Sequence, residues 1–207
     1  MAQVENKSNE AIKSQCEVHK DSGLAVGEAK WYIAECKPTR ERTLRTMLQK
    51  AGYEAYVASQ MEMRVYKSRN RRKVEHVLIP GRVFVRTEED KLIPLMQQFS
   101  CLYRFHLDRA GLSNKYGRSP FAFVPENQMQ QLKYVLGQAR NPVFFTADEL
   151  FLDQKVRVMR GPLAGIDGWF YQKASSSYIV LKIEMGNMGN SNYVYTEIPI
   201  EDVQLRG

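Results

Sequence analysis

Two hydrophobic rhythms alternate along residues 30–140, and only one of them persists beyond residue 154. Trp31-Tyr32-Ile33-Ala34-Glu35-Cys36 has the aromatic and β-branched character of a strand. Pro38 then suits the first turn of a helix, where its missing N–H costs nothing. Leu44, Met47, Leu48 and Ala51 follow at i, i+3, i+4 and i+7, which predicts one apolar helix face. Residues 53–59 read as a second strand and 61–66 as an extended continuation, leading to a polar, basic tip over 67–73. Residues 74–85 return as a long strand interrupted at Pro80-Gly81, where a bend or an edge position is expected because proline donates no ladder hydrogen bond. Helical spacing resumes over 89–99, with Leu92, Leu95, Met96 and Phe99 on one face. Residues 101–107 form another candidate strand, 108–119 a loop, and 126–138 a last helix with Met129, Leu132, Val135 and Leu136 on one side. The order β-α-β-β-α-β-α predicts an α+β unit, an antiparallel sheet with helices packed on it.

Periodicity fades over 141–153, which suits a linker. The remainder is strand and turn. Val156 and Val158 alternate with Lys155 and Arg157, the chain turns at Gly161-Pro162, and a strand resumes after Gly168. Gly161, Gly165 and Gly168 read as turn residues, while Trp169, Phe170 and Ile183 read as core. Strands over 178–185 and 193–205 flank a Gly/Asn-rich turn, and short strands of this kind suit a small barrel whose closure removes exposed edges. Four segments result: a disordered or weakly ordered tail (1–29), an α+β domain (30–140), a linker (141–153) and a β-barrel (154–207).

Charge sharpens this division. The net +7 of the 207 residues is not spread evenly: residues 1–29 hold three Lys/Arg against five Asp/Glu, residues 30–145 hold 21 against 10, and residues 146–207 hold six against eight. The basic excess therefore sits in the α+β segment, and a concentrated positive field marks contact with nucleic acid or an acidic protein surface. No apolar run is long enough to cross a bilayer and no signal-peptide pattern opens the chain, so a cytoplasmic protein without a membrane partner is expected. Cys16, Cys36 and Cys101 are odd in number and widely spaced, which suits a reducing compartment and neither a disulfide framework nor a zinc site. His19, His76 and His106 lie in unrelated contexts, with no HExxH, GxSxG or phosphate-binding glycine loop. The expectation is a non-enzyme without catalytic residues, metal or cofactor.

The pattern of Val156, Val158, Gly161, Pro162, Gly165 and Gly168 resembles a KOW motif, the opening hairpin of a small SH3-like barrel. The middle segment is similar to the N-terminal domain of NusG-type transcription factors, which opens with a Trp-Tyr strand, here Trp31-Tyr32, and carries a Pro-Gly step between apolar residues, here Leu78-Ile79-Pro80-Gly81-Arg82-Val83-Phe84-Val85. Family members usually have aromatics where Ile79 and Arg82 stand. Among specialised members, the chain looks most like the antiterminators of capsular and exopolysaccharide operons.

The resemblance implies a factor that sits on the clamp helices of the largest RNA polymerase subunit and suppresses pausing or premature termination. The polymerase-facing set it implies is Trp31, Tyr32, Ile79, Pro80, Gly81, Arg82 and Phe84. Taken singly, Trp31 and Phe84 read as core, and Ile79 with Pro80 as contact. Lys37, Arg40, Arg42 and Lys50 resemble readers of the non-template DNA strand or a leader RNA, and Arg69, Arg71, Arg72 and Lys73 form a tip for the second polymerase jaw or upstream DNA. Through the barrel, Rho or a ribosomal protein would be recruited. The alternative is a KOW-type RNA-binding or ribosome-associated protein, which requires residues 146–207 to bind RNA, against their net −2.

Overall fold

The structure, a computed structural model, describes residues 27–65, 71–108, 119–148, 150, 152, 154–183, 185 and 192–205. Most of the expected tail, the hairpin tip with Lys67 and Arg69, and the loop over 109–118 lie outside these residues.

The first sheet is built around β1 (Lys30–Cys36). It pairs antiparallel with β5 (Arg82–Thr87) on one side, and with β6 (Leu102–Phe105) and the short β7 (Phe123–Val124) on the other; β2 (Glu54–Tyr56) extends the sheet beyond β5. Both faces are covered. Helix α1 (Glu41–Lys50) and helix α2 (Leu92–Gln98) bring Leu44, Leu48, Leu92 and Leu95 against Tyr32, Ala34, Val83 and Val85. Helix α3 (Glu126–Gln138) brings Met129, Leu132, Val135 and Leu136 against Trp31, Ile33 and Phe84 on the opposite face. Burying such side chains contributes about 2 kcal/mol each, so each layer is firmly set.

This double cover overrides simple strand alternation. An alternating strand should turn one set of residues to the core and the other to solvent, yet Val83, Phe84 and Val85 are all buried, because each face has its own helix. The first helix is also shorter than its spacing predicts. It begins at Glu41 rather than at Pro38, because Thr39 has φ 77 and breaks the helical run. Its inward face is Leu44 and Leu48, with Met47 and Ala51 turned outward.

The two strands before and after the basic tip leave the sheet altogether. β3 (Ser59–Val65) and β4 (Arg71–Val77) pair only with each other, as a two-stranded ribbon. The long strand expected over 74–85 is thus two strands in two sheets, divided by the Pro80-Gly81 step.

The second sheet has six strands in the order β13-β9-β10-β11-β12-β8: β9 (Lys155–Val158), β10 (Asp167–Lys173), β11 (Ser176–Ile183), β12 (Asn192–Glu197), β13 (Val203–Leu205) and β8 (Val143–Thr146). Strand β8 falls inside the span expected as a linker. It is zipped to β12 from Tyr193↔Thr146 to Thr196↔Val143. Around it, Gln60 receives the Val143 N–H at 3.0 Å and donates to Asn141 O at 3.2 Å, so the ribbon, the end of α3 and the second sheet are tied together.

Candidate functional site

The basic surface grows from the ribbon. Isolated two-stranded ribbons are marginal in water, and this one is held at its base by Glu75. Glu75 is paired with Arg42 at 2.8 Å and Arg45 at 3.1 Å, both from α1, and accepts the Ser59 hydroxyl at 2.6 Å. Burial opposes ionisation of Glu75, but the Ser59 and Arg45 hydrogen bonds and the two arginine charges outweigh it and hold its carboxyl below the ordinary range. Leu78 N–H donating to Ala58 O at 2.8 Å closes the ribbon where it rejoins the sheet. Beyond this clamp Arg71, Arg72 and Lys73 are exposed, and so are Met61 and Met63, at 60% and 56%.

Among the predicted readers on the first helix, Lys37, Arg40 and Lys50 are exposed, whereas Arg42 is committed to Glu75. Neither Glu75 nor Arg45 had a local signal; their link spans 30 residues of sequence.

The predicted polymerase-facing residues divide in two. Trp31, Tyr32, Ile79 and Phe84 are buried, Trp31 with its indole N–H donated to Glu126 at 2.8 Å and the Lys133 ammonium 4.0 Å from its ring centre. Pro80 is exposed and Arg82 half-buried. Gly81 between them is fixed on both sides. Its N–H donates to the buried carboxylate of Glu41 at 2.7 Å, its carbonyl accepts from Cys36 N–H at 2.9 Å, and its φ of 75 belongs to the left-handed region. A Cβ at this position would stand 3.2 Å from Cys36 O. The glycine is there because the chain must leave the ribbon and enter β5 within one residue.

Beside this step lies an ionic cluster that sequence reading missed. His106, 5% exposed, places Nε2 2.8 Å from Glu35 Oε1, while Arg104 pairs with the other carboxylate oxygen and Arg82 stands across from Glu35 in the register. Burial pushes the His106 imidazole below its ordinary 6.5; Glu35 opposes this, and Arg82 and Arg104 reinforce it. Glu35 is also lowered: burial opposes its ionisation, but the Arg104 hydrogen bond and the charges of His106, Arg104 and Arg82 prevail. A base with a depressed folded pKa stabilises the fold above its unfolded value and loses that contribution as pH falls. The melting temperature is therefore expected to fall between about pH 7 and pH 5, and His106→Gln is expected to flatten that segment. Scanning calorimetry across the window checks both, and a flat wild-type profile refutes the assignment.

In the second sheet Val156 and Val158 are buried, and Gly161 and Gly165 carry φ of 80 and 91, as turn residues there should. Pro162 is half-buried, its carbonyl accepting from the Tyr134 hydroxyl at 3.2 Å. Gly168 is not a turn residue. It lies within β10, where the backbone of β11 comes too close for a side chain. Ile183 is core and Phe170 packs against it, but Trp169 turns to the opposite face beneath Lys155, whose ammonium is 5.1 Å from the ring centre.

Set against known proteins, residues 29–133 match the family model described as NusG, transcription termination factor nusG. No curated relative matches the chain in sequence. Solved structures similar to it include one described as domain interaction in Thermotoga maritima NusG, with a TM-score of 0.44 and 16% identity over 87% of this chain and 98% of that one. Another is the MjSpt4:Spt5 complex in conformation A, with a TM-score of 0.26 and 10% identity over 86% of this chain and 98% of that one.

Proposed function

The chain belongs to the NusG family, and on that premise we propose that it is a transcription elongation or antitermination factor that binds RNA polymerase and suppresses pausing or premature termination, with polysaccharide biosynthesis operons as its targets. The observation that carries this reading is the extent of the family match. Residues 29–133 hold the first sheet, the basic ribbon and more than half of helix α3, so the matched part is also the part with the positive charge. A polyanionic or acidic partner is what that field favours.

The contact surface we propose for the clamp helices centres on exposed Pro80 and half-buried Arg82, with Trp31, Tyr32, Ile79 and Phe84 as the rigid layer beneath. Anchors of this kind carry affinity only when their support cannot yield. Arg71, Arg72 and Lys73 reach a second surface of the polymerase or the DNA beside it, and Lys37, Arg40 and Lys50 face the non-template strand or a leader RNA. The second sheet is the KOW-type barrel, available to Rho or a ribosomal protein. The acidic N-terminal segment and the departures at Ile79 and Arg82 support a specialised member and hence the narrower operon range.

The test is multiple-round transcription by purified RNA polymerase on a template with a terminator downstream of a polysaccharide-operon leader. Read-through is expected to rise several-fold with the protein and to stay at its basal level when the leader is replaced. Unchanged or increased termination overturns the proposal.

A further inference from the structure

The end of helix α3 and the second sheet frame a pocket of about 270 Å³. Arg140 and Asn141, just beyond α3, form one wall. The turn over 160–163, the end of β12 and the 3-10 turn Ile200–Asp202 form the others. Leu163 and Ile198 line the pocket and belong to the buried core, so its floor is apolar. The walls are braced across the gap. The Tyr134 hydroxyl donates to Pro162 O at 3.2 Å, and Asn141 Nδ2 donates to Glu197 O at 3.0 Å.

Its neutral polar side chains are already used. Asn141 serves that brace, and the Thr196 hydroxyl donates to Pro142 O at 3.0 Å. The charged ones are not. Arg140, Arg160, Glu197 and Asp202 line the same pocket, and none has a side-chain hydrogen bond or ion pair among the described residues. Asp202 Oδ2 lies 3.6 Å from where a side chain at Gly161 would begin, so its carboxylate stands beside the turn that carries Arg160. Two cations against two anions leave the lining neutral. A phosphate or other simple anion gains from the arginines and loses to the carboxylates, whereas a ligand of both signs gains from each. The volume is just below the ~300 Å³ at which drug-sized sites begin, which suits a single amino acid.

We propose that this pocket binds a free apolar amino acid. Arg160 takes its carboxylate, Asp202 takes its ammonium, and its side chain lies on Leu163 and Ile198. A guanidinium matches a carboxylate through two parallel N–H bonds, and Arg140 supplies a second cation from the opposite wall. That wall belongs to the end of α3 and the others to the second sheet, so the bound amino acid draws the two together. The pocket shares no residue with the proposed polymerase and nucleic-acid contacts, and its occupancy can be measured without polymerase.

The test is isothermal titration calorimetry of the full chain with L-leucine and L-phenylalanine at millimolar concentration. Leucine is expected to bind at least ~10-fold more tightly than 4-methylpentanoate, which lacks its ammonium, or 3-methylbutylamine, which lacks its carboxylate. Arg160→Gln and Asp202→Asn are each expected to weaken leucine binding ~10-fold. Both variants should melt as the ligand-free wild type does, since neither side chain has a partner to lose among the described residues. Amide hydrogen exchange over 139–146 and over 159–166 is expected to slow together on adding leucine, and Arg140→Gln to remove the slowing over 139–146. Slowing confined to the second stretch overturns the bridging of the two walls. Inorganic phosphate binding more tightly than either amino acid overturns the choice of ligand. Undiminished binding in both the Arg160→Gln and Asp202→Asn variants, or no binding of either amino acid to the wild type, overturns the site.

Discussion

Gly168→Ala is expected to lower the unfolding free energy by about 3 kcal/mol, at the upper end of overpacking costs, and the melting temperature by about 10 °C. The cause is local and geometric. Gly168 lies in β10 between β9 and β11, and a Cβ built there stands 2.8 Å from Val180 O and from Ile179 Cδ1. The isoleucine end can rotate away. The Val180 carbonyl cannot, because β11 is fixed in register on its other side by β12 from Tyr178↔Glu197 to Ile183↔Asn192. Relief requires β10 to move off β11, which opens the Trp169↔Val180 to Lys173↔Ser176 ladder. Gly165→Ala is the internal control. A Cβ there meets nothing within 4 Å, and its cost is only the positive φ of 91, about 1–2 kcal/mol. Urea denaturation of both variants separates the two causes. If Gly168→Ala is no worse than Gly165→Ala, the tight approach of the two strands is wrong.

That glycine also marks where sequence reading stops. Its neighbours in the turn, Gly161 and Gly165, are legible because a Gly-Pro turn announces a positive φ within a few residues. Gly168 answers to a backbone oxygen twelve residues away, and nothing local records that. The same division holds elsewhere. The helix at Glu126–Gln138 was read correctly because burial there follows the local period, and the Trp31 strand because its aromatic and β-branched residues mark a strand even with Trp31 to Ala34 all buried. Strand β8 was not, since four residues after a proline are too few for a period and its partner, β12, lies some fifty residues on. Alternation failed at Val83-Phe84-Val85 because the helices covering the two faces come from different parts of the chain. In the candidate site, the arginines of the ribbon stood out as a run, whereas Glu75, Arg45 and His106 acquire meaning only when distant elements meet.

Replacing Arg71, Arg72 and Lys73 together by glutamate is expected to weaken binding to RNA polymerase about 100-fold at low salt, equivalent to about 2.7 kcal/mol, and to abolish read-through, while leaving the fold intact. The second half of this expectation gives it force. The three residues are exposed and make no ion pair among the described residues, and the ribbon's clamp at Glu75, Arg42, Arg45 and Ser59 lies at its other end. An unchanged melting temperature is therefore expected. Surface plasmon resonance against immobilised polymerase over a salt series measures the outcome. Wild-type affinity should fall steeply with ionic strength as exposed charges are screened, and the variant's should be weak and nearly salt-independent. Retained affinity in a variant that melts as the wild type does would show that the ribbon is not a contact, and the polymerase surface would then have to lie on the Pro80 side alone.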